Sequence, residues 1–188
     1  MPNKLQIIYT PNSILRQEAQ DVAVDQIKSK KIQSLIVNMK ETLKVTPDGV
    51  GLAAPQVNES LRIFIVSEEA EEIDRLELKK QAAKGVESED VDSYEHREWK
   101  YYVFINPIVK KTAKRKLSGT EGCLSVPGKF GSLARQEKII VEAYNEHGKK
   151  FTRGATRFFA RVLQHELDHL EGILFIDKAE ELFNSDKS

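Results

Sequence analysis

The sequence predicts one domain in which helices and strands are mixed, and three observations carry that prediction. Ile32, Leu35, Ile36, Met39 and Leu43 recur at the three-and-four spacing of a one-sided helix, and Phe158, Phe159, Val162, Leu163, Leu167 and Leu170 do the same further on. Between them, Leu61–Val66, Tyr101–Ile105 and Lys138–Tyr144 are short runs bounded by turn residues, the pattern of strands. A chain of 188 residues, 40% hydrophobic, is long enough to bury one sizeable core, so residues 1–188 are expected to form a single domain.

Taken in order, Lys4–Tyr9 is expected as a short edge strand, followed by a turn at Thr10-Pro11-Asn12. Asp25 is expected to cap a helix that runs through Val45 and is broken by Thr46-Pro47-Asp48-Gly49. The next stretch, GVGLAAPQ (Gly49–Gln56), keeps side chains small, so another backbone or a ligand can approach, and Gln56 offers an amide donor and acceptor. A phosphate loop is disfavoured, because no lysine-serine or lysine-threonine pair follows; a structural turn is the plain alternative.

Glu68–Lys100 is rich in charge and is expected to be an exposed insertion at about 68–100. Within it, Glu71–Ala83 predicts a solvated helix with Glu71 and Arg75 paired, while Gly85–Glu98 lacks core-forming residues. Asn106-Pro107 is expected to end the strand from Tyr101. Gly119–Pro127 is a second compact, glycine-flanked stretch, and Lys138–Tyr144 with Lys150–Thr152 predicts a hairpin across Asn145-Glu146-His147-Gly148. That leaves His147 in a turn and His96 in the insertion, both solvated bystanders. Gly172 is a natural stop for the last helix.

Lysine plus arginine equal aspartate plus glutamate, 29 against 29, which gives no argument for a nucleic-acid or anionic-membrane partner. No apolar run is long enough to span a bilayer, and MPNKLQIIYTPN lacks a signal-peptide core, so a cytoplasmic address is expected. The lone Cys123 excludes an internal disulfide and fits a reducing compartment.

The chemistry concentrates in His165-Glu166-Leu167-Asp168-His169, the pattern H-E-x-x-H. Residues four apart on a helix differ by about 40° around the axis, so both imidazoles face one point. A divalent metal held there would leave Glu166 within reach to take a proton from an attacking water. Cys123 reads as a third ligand, as a buried core residue, or as a nucleophile activated by histidine; the last gives Glu166 no task, and the ligand reading is preferred. Two histidines and one cysteine leave a fourth position open, the style of a catalytic site.

Three stretches, GVGLAAPQ (Gly49–Gln56), EGCLSVP (Glu121–Pro127) and QHELDHLEG (Gln164–Gly172), resemble in order the three signature motifs of peptide deformylase. The likeness runs from Tyr9-Thr10-Pro11 to Phe175-Ile176-Asp177, apart from the charged insertion. It implies an α+β fold with antiparallel β-sheets packed around a central helix carrying the H-E-x-x-H motif. It also implies removal of the formyl group from the N-terminal formyl-methionine of new polypeptides, with release of formate. Carried over motif by motif, Cys123, His165 and His169 would be the metal ligands and Glu166 the general base, later the acid. The Gln56 side chain and the Leu124 backbone N–H would stabilise the oxyanion. Gly51 would contact the substrate backbone, and Val50, Glu121, Phe158 and Val162 would help to form the methionine pocket.

The implied metal is one divalent ion, ferrous iron (Fe2+) by preference, with zinc, nickel or cobalt able to occupy the site. The implied partners are N-formyl-methionyl peptides and the ribosome near its nascent-chain exit. The chain departs from the pattern in its longer insertion, in Gly128-Lys129-Phe130 after Pro127, and in closing at Ser188 without a long C-terminal helix. Two other readings compete: a small zincin-like metallopeptidase, which would cut internal peptide bonds, and a non-catalytic peptide-binding relative, which would be expected to lack Glu166 or a ligand.

Overall fold

The structure, a computed structural model, describes residues 2–82 and 100–184. Its larger sheet has five antiparallel strands in the order β1 (Gly51–Ala53), β2 (Ile63–Ser67), β3 (Tyr101–Thr112), β6 (Lys138–Tyr144) and β7 (Lys150–Thr156). The smaller sheet has three, β4 (Lys116–Cys123), β5 (Val126–Gln136) and β8 (Glu181–Asn184), with β5 in the middle. Helix α1 spans Lys30–Lys44, α2 Glu69–Ala82 and α3 Arg157–Leu170.

The larger sheet is covered on both faces, which explains why β2 (IFIVS) is buried at every position instead of at alternate ones. Ile63 and Ile65 pack with Ile32, Ile36 and Met39 of α1, whereas Phe64 and Val66 pack with Phe159 and Leu163 of α3. Successive side chains of a strand point to opposite faces, so one short strand serves two cores. Phe64 and Phe104 stack with ring centroids 4.7 Å apart beneath α3. Helix α3 contacts β1, β2, β6 and β7 of the larger sheet and also β5 of the smaller one.

Several local expectations are corrected. Lys4–Tyr9 does not form a strand, because its amides find separate partners: Leu5 N–H donates to the Thr42 hydroxyl and Ile8 N–H to the Gln56 carbonyl, at 2.7 and 2.8 Å. Helix α1 is capped by Ser29, whose hydroxyl accepts from Ile32 N–H, while Asp25 lies in a separate short turn, Val24–Gln26. Strand β3 does not end at Asn106-Pro107; its register shifts between Ile105 and Ile108, so the proline falls where the ladder skips a bond. Asn106, at φ 49°, ties that bulge to Val22 by accepting from its N–H and donating to its carbonyl.

The insertion helix is not simply solvated. In α2, Ala70 and Asp74 are buried, Glu71 accepts from the Tyr102 hydroxyl and pairs with Arg153, and Arg75 pairs with Glu72 instead of Glu71. Packing of α2 against α3 and β2 turns those residues inward. The stretch Gly85–Glu98, His96 within it, and Ala83 lie outside the described residues. The β6–β7 hairpin stands as expected, with Gly148 at φ 71° in its turn, and Gly172 follows α3 at φ 68°. No helix among the described residues is long and apolar enough to cross a membrane.

Candidate active site

Helix geometry places the imidazoles of His165 and His169 side by side, with ring centroids 4.9 Å apart. Cys123 arrives from the other direction, at the end of β4, where the β4–β5 register shifts between Gly122 and Cys123. Its sulfur lies 3.2 Å from His169 Nε2 and receives the Ser125 N–H at 3.4 Å. Among the described residues, Cys123, His165 and His169 form a group whose ligand atoms all lie within 4.8 Å of one another.

Glu121 precedes Cys123 by two residues on β4 and so shares its face. Its Oε2 lies 2.9 Å from His165 Nδ1, which leaves the other ring nitrogen to face the sulfur. The same carboxylate accepts two bonds from Arg135, each 2.8 Å, and one from Arg161 at 2.9 Å. Asp168 holds Arg135 from the far side and pairs with Lys178. Arg135 and His165 outweigh burial, which raises the Glu121 carboxyl, and hold it far below the usual carboxylate range. Burial also raises the Cys123 thiol, but the two imidazoles draw it well below its ordinary value. In His165, burial lowers the imidazole while bonds to Cys123 and Glu121 raise it well above normal.

Glu166 behaves differently. Burial pushes its carboxyl up to about 7, against the downward pull of His165 and His169. Its Oε2 is buried with no hydrogen-bond partner among the described residues, and so is His169 Nδ1. Gly51 on β1 faces this carboxylate so closely that a Cβ there would overlap Glu166 Oε1. Gln56 is buried, its Oε1 accepts from Ala53 N–H at 2.8 Å, and its amide nitrogen faces Ser125 Oγ at 3.2 Å and Cys123 Sγ at 3.6 Å.

A cleft of about 560 Å³ opens above this cluster, and every residue singled out from the sequence lines it except His169, which lies buried beneath. Val50 and Gly51 form one wall, Phe158 and Val162 of α3 another, and Leu124 closes the hairpin side. A thiolate and two imidazoles within reach of one ion, one imidazole backed by a carboxylate, are a donor set that suits zinc or ferrous iron.

The sequence profile of the polypeptide deformylase family matches residues 4–184. The chain belongs to that family. Among deformylase relatives, the peptide deformylase of Syntrophomonas wolfei is 38% identical over 174 residues, covering 93% of this chain and 92% of the relative. Peptide deformylase 1A of Arabidopsis thaliana, chloroplastic/mitochondrial, is 34% identical over 92% of this chain, which spans 60% of that longer protein. A solved class I type b deformylase of Acinetobacter baumannii with Met-Ala-Ser bound superposes with a TM-score of 0.75 at 30% identity, covering 95% of this chain and 99% of that one.

Arg135, Arg161 and Asp168 belong to the site's surroundings and had not been singled out from the sequence. Arg161 had a signal, being a charge four residues before His165 in an otherwise apolar segment. Arg135 had none, because it reaches Glu121 only through the β4–β5 pairing.

Proposed function

We propose that the chain hydrolyses the formyl amide of N-formyl-methionyl polypeptides, releasing formate and a free amino terminus. The observation that carries this reading is the Cys123–His165–His169 cluster at the floor of the cleft, with the Glu166 carboxylate beside it, its Oε2 without a hydrogen-bond partner among the described residues. Cys123, His165 and His169 would hold one divalent ion, Fe2+ by preference, with Zn2+, Ni2+ or Co2+ as substitutes. When bound, such an ion supplies a Lewis acid that polarises a carbonyl oxygen and acidifies a water.

The protein's own residues do the rest. Glu166, whose carboxyl titrates near neutrality, takes a proton as water adds to the formyl carbon and returns it to the departing amine nitrogen. The Gln56 amide and the Leu124 backbone N–H face the carbonyl oxygen as its charge grows. Gly51, whose missing side chain leaves room for Glu166, would contact the substrate backbone as it lies along the edge strand β1 as an added strand. Val50, Phe158 and Val162 enclose the methionine side chain, and Glu121 adds to that wall while its carboxylate orients His165.

We read α3 as the central element, with both sheets arranged around it, and residues 1–188 as one catalytic domain. Nascent chains carry the substrate, so the work belongs in the cytoplasm, near the ribosomal exit. The test is formate release from formyl-Met-Ala-Ser by anaerobically purified protein, with metal content measured in parallel. Formate from protein with metal near one per chain supports the reading. No formate from fully metallated protein overturns it, and cleavage of internal bonds instead would favour a peptidase.

A further inference from the structure

We propose that Asp74, on the insertion helix α2, is a positioning residue for the substrate cleft, capping α3 from outside its own segment and fixing the wall at Phe158. The inference rests on the deformylase reading of the cleft.

The first amides of any helix lack partners within it, and a side chain at the residue before the helix usually accepts from them. In α3 that residue is Thr156, and its side chain makes no capping bond. The chain instead turns sharply from β7 into α3 at Arg157, whose φ of 48° lies in the left-handed region. The next two amides both donate to Asp74: Phe158 N–H to Oδ1 and Phe159 N–H to Oδ2, each at 3.0 Å. One carboxylate, buried at 7% exposure, thus occupies both oxygens on α3 and sets its negative charge against the helix's positive end.

Residue 74 belongs to a segment that the resemblance treats as an addition, yet α2 is anchored at this corner. Ala70 is fully buried, and Glu71 meets Tyr102 and Arg153. The Arg153 guanidinium in turn lies over the rings of Tyr102 and Phe159, 4.7 and 5.5 Å from their centroids. The two capped residues serve different places: Phe158, half-buried at the edge of the core, lines the cleft, and Phe159 enters the core between α3 and the larger sheet. Asp74 therefore holds the turn that divides them. His165 lies two helical turns further on, about 10 Å along the axis, so the ligands are spared when the first turn loosens.

The test compares Asp74→Ala, Asp74→Asn and the double variant Asp74→Ala/Thr156→Asp, measuring kcat and KM for formyl-Met-Ala-Ser and formyl-Ala-Ala-Ser, with metal per chain. In Asp74→Ala, KM for the methionine peptide should rise about fivefold, the factor one lost cap represents, with kcat held within about twofold and metal unchanged. The preference over the alanine peptide should shrink to match. Thr156→Asp supplies a local acceptor and should restore most of the KM. Should Asp74→Ala fail to fold, Asp74→Asn, which keeps the shape and one acceptor oxygen, should show the same change, smaller. Unchanged KM and preference in the folded variant overturn the inference, as does a rescue of melting temperature without rescue of KM. Wild-type protein that binds metal and releases no formate would instead defeat the deformylase reading itself.

Discussion

Helix α3 has two unlike faces. Towards the larger sheet it presents Phe159, Ala160, Leu163 and Leu170, which pack with Phe64, Phe104 and Val141 in an apolar core. Towards the smaller sheet it presents Arg161, His165 and Asp168, which meet Glu121 and Arg135 in a buried ionic network. Apolar contact depends on area and barely on direction, so the first face holds the helix in place. Guanidinium–carboxylate bonds are directional, so the second face aims side chains. A buried ion network is weak evidence for stability, and here it sets the Glu121 carboxylate against His165 Nδ1.

The largest effect expected sits between the faces. Glu166→Gln should lower kcat by about 10²- to 10⁴-fold while metal per chain is retained, measured by formate release and elemental analysis. Equal loss of metal and activity would show that Glu166 belongs with the ligands. On the charged face, Glu121→Gln leaves Arg135 with Asp168 and Arg161 with the carbonyls of Leu117, Gly119 and Leu133, and should cost about 1–3 kcal/mol of stability in denaturant titration. Metal affinity should fall with it by about 10- to 100-fold, since His165 loses its partner. Leu163→Ala, on the apolar face, should cost about 2–5 kcal/mol through the cavity it leaves, with kcat and metal content unaltered where the variant is folded. Activity loss in that variant would erase the distinction between the two faces.

The smallest effect belongs to a carboxylate near the surface, the outer counterpart of Glu121. Burial raises the Glu146 carboxyl, but a backbone hydrogen bond and the pair with Lys40, 3.0 Å away, outweigh it and hold the group below its ordinary value. A folded-state pKa below the unfolded one contributes stability above the unfolded value, and that contribution is lost as pH falls through the folded one. Glu146→Gln should therefore lower stability at pH 7 by less than about 1 kcal/mol, solvent screening most of the pair. The gap from wild type should close as the pH drops below about 4.5, followed by melting temperature across pH.

Legibility from sequence followed range. The apolar stripe of α3, its stop at Gly172 and the β6–β7 turn were readable because the residues that make them are neighbours in the chain. Val50, Phe158 and Val162 of the cleft wall were singled out only through the family resemblance. Where local rules failed, a distant group had intervened. Asn106-Pro107 reads as a strand end, but bonds to Val22 hold it as a bulge within β3. Lys4–Tyr9 has the composition of a strand, but Thr42 and Gln56 take its amides.

The sequence by itself determined which groups are the candidates for the proposed chemistry: a thiol, two imidazoles one helical turn apart, a carboxylate next to the first of them, and a stretch of small residues where a backbone can approach. Those are matters of residue type and of spacing within a few positions. Only the tertiary structure decided what surrounds them. Glu121 finds Arg135 through strand pairing and Arg161 across the sheet–helix interface, and α3 finds its cap in Asp74, 84 residues before Phe158. Charge and hydrogen-bonding capacity are written in each residue, but a partner is assigned only when packing brings distant segments together.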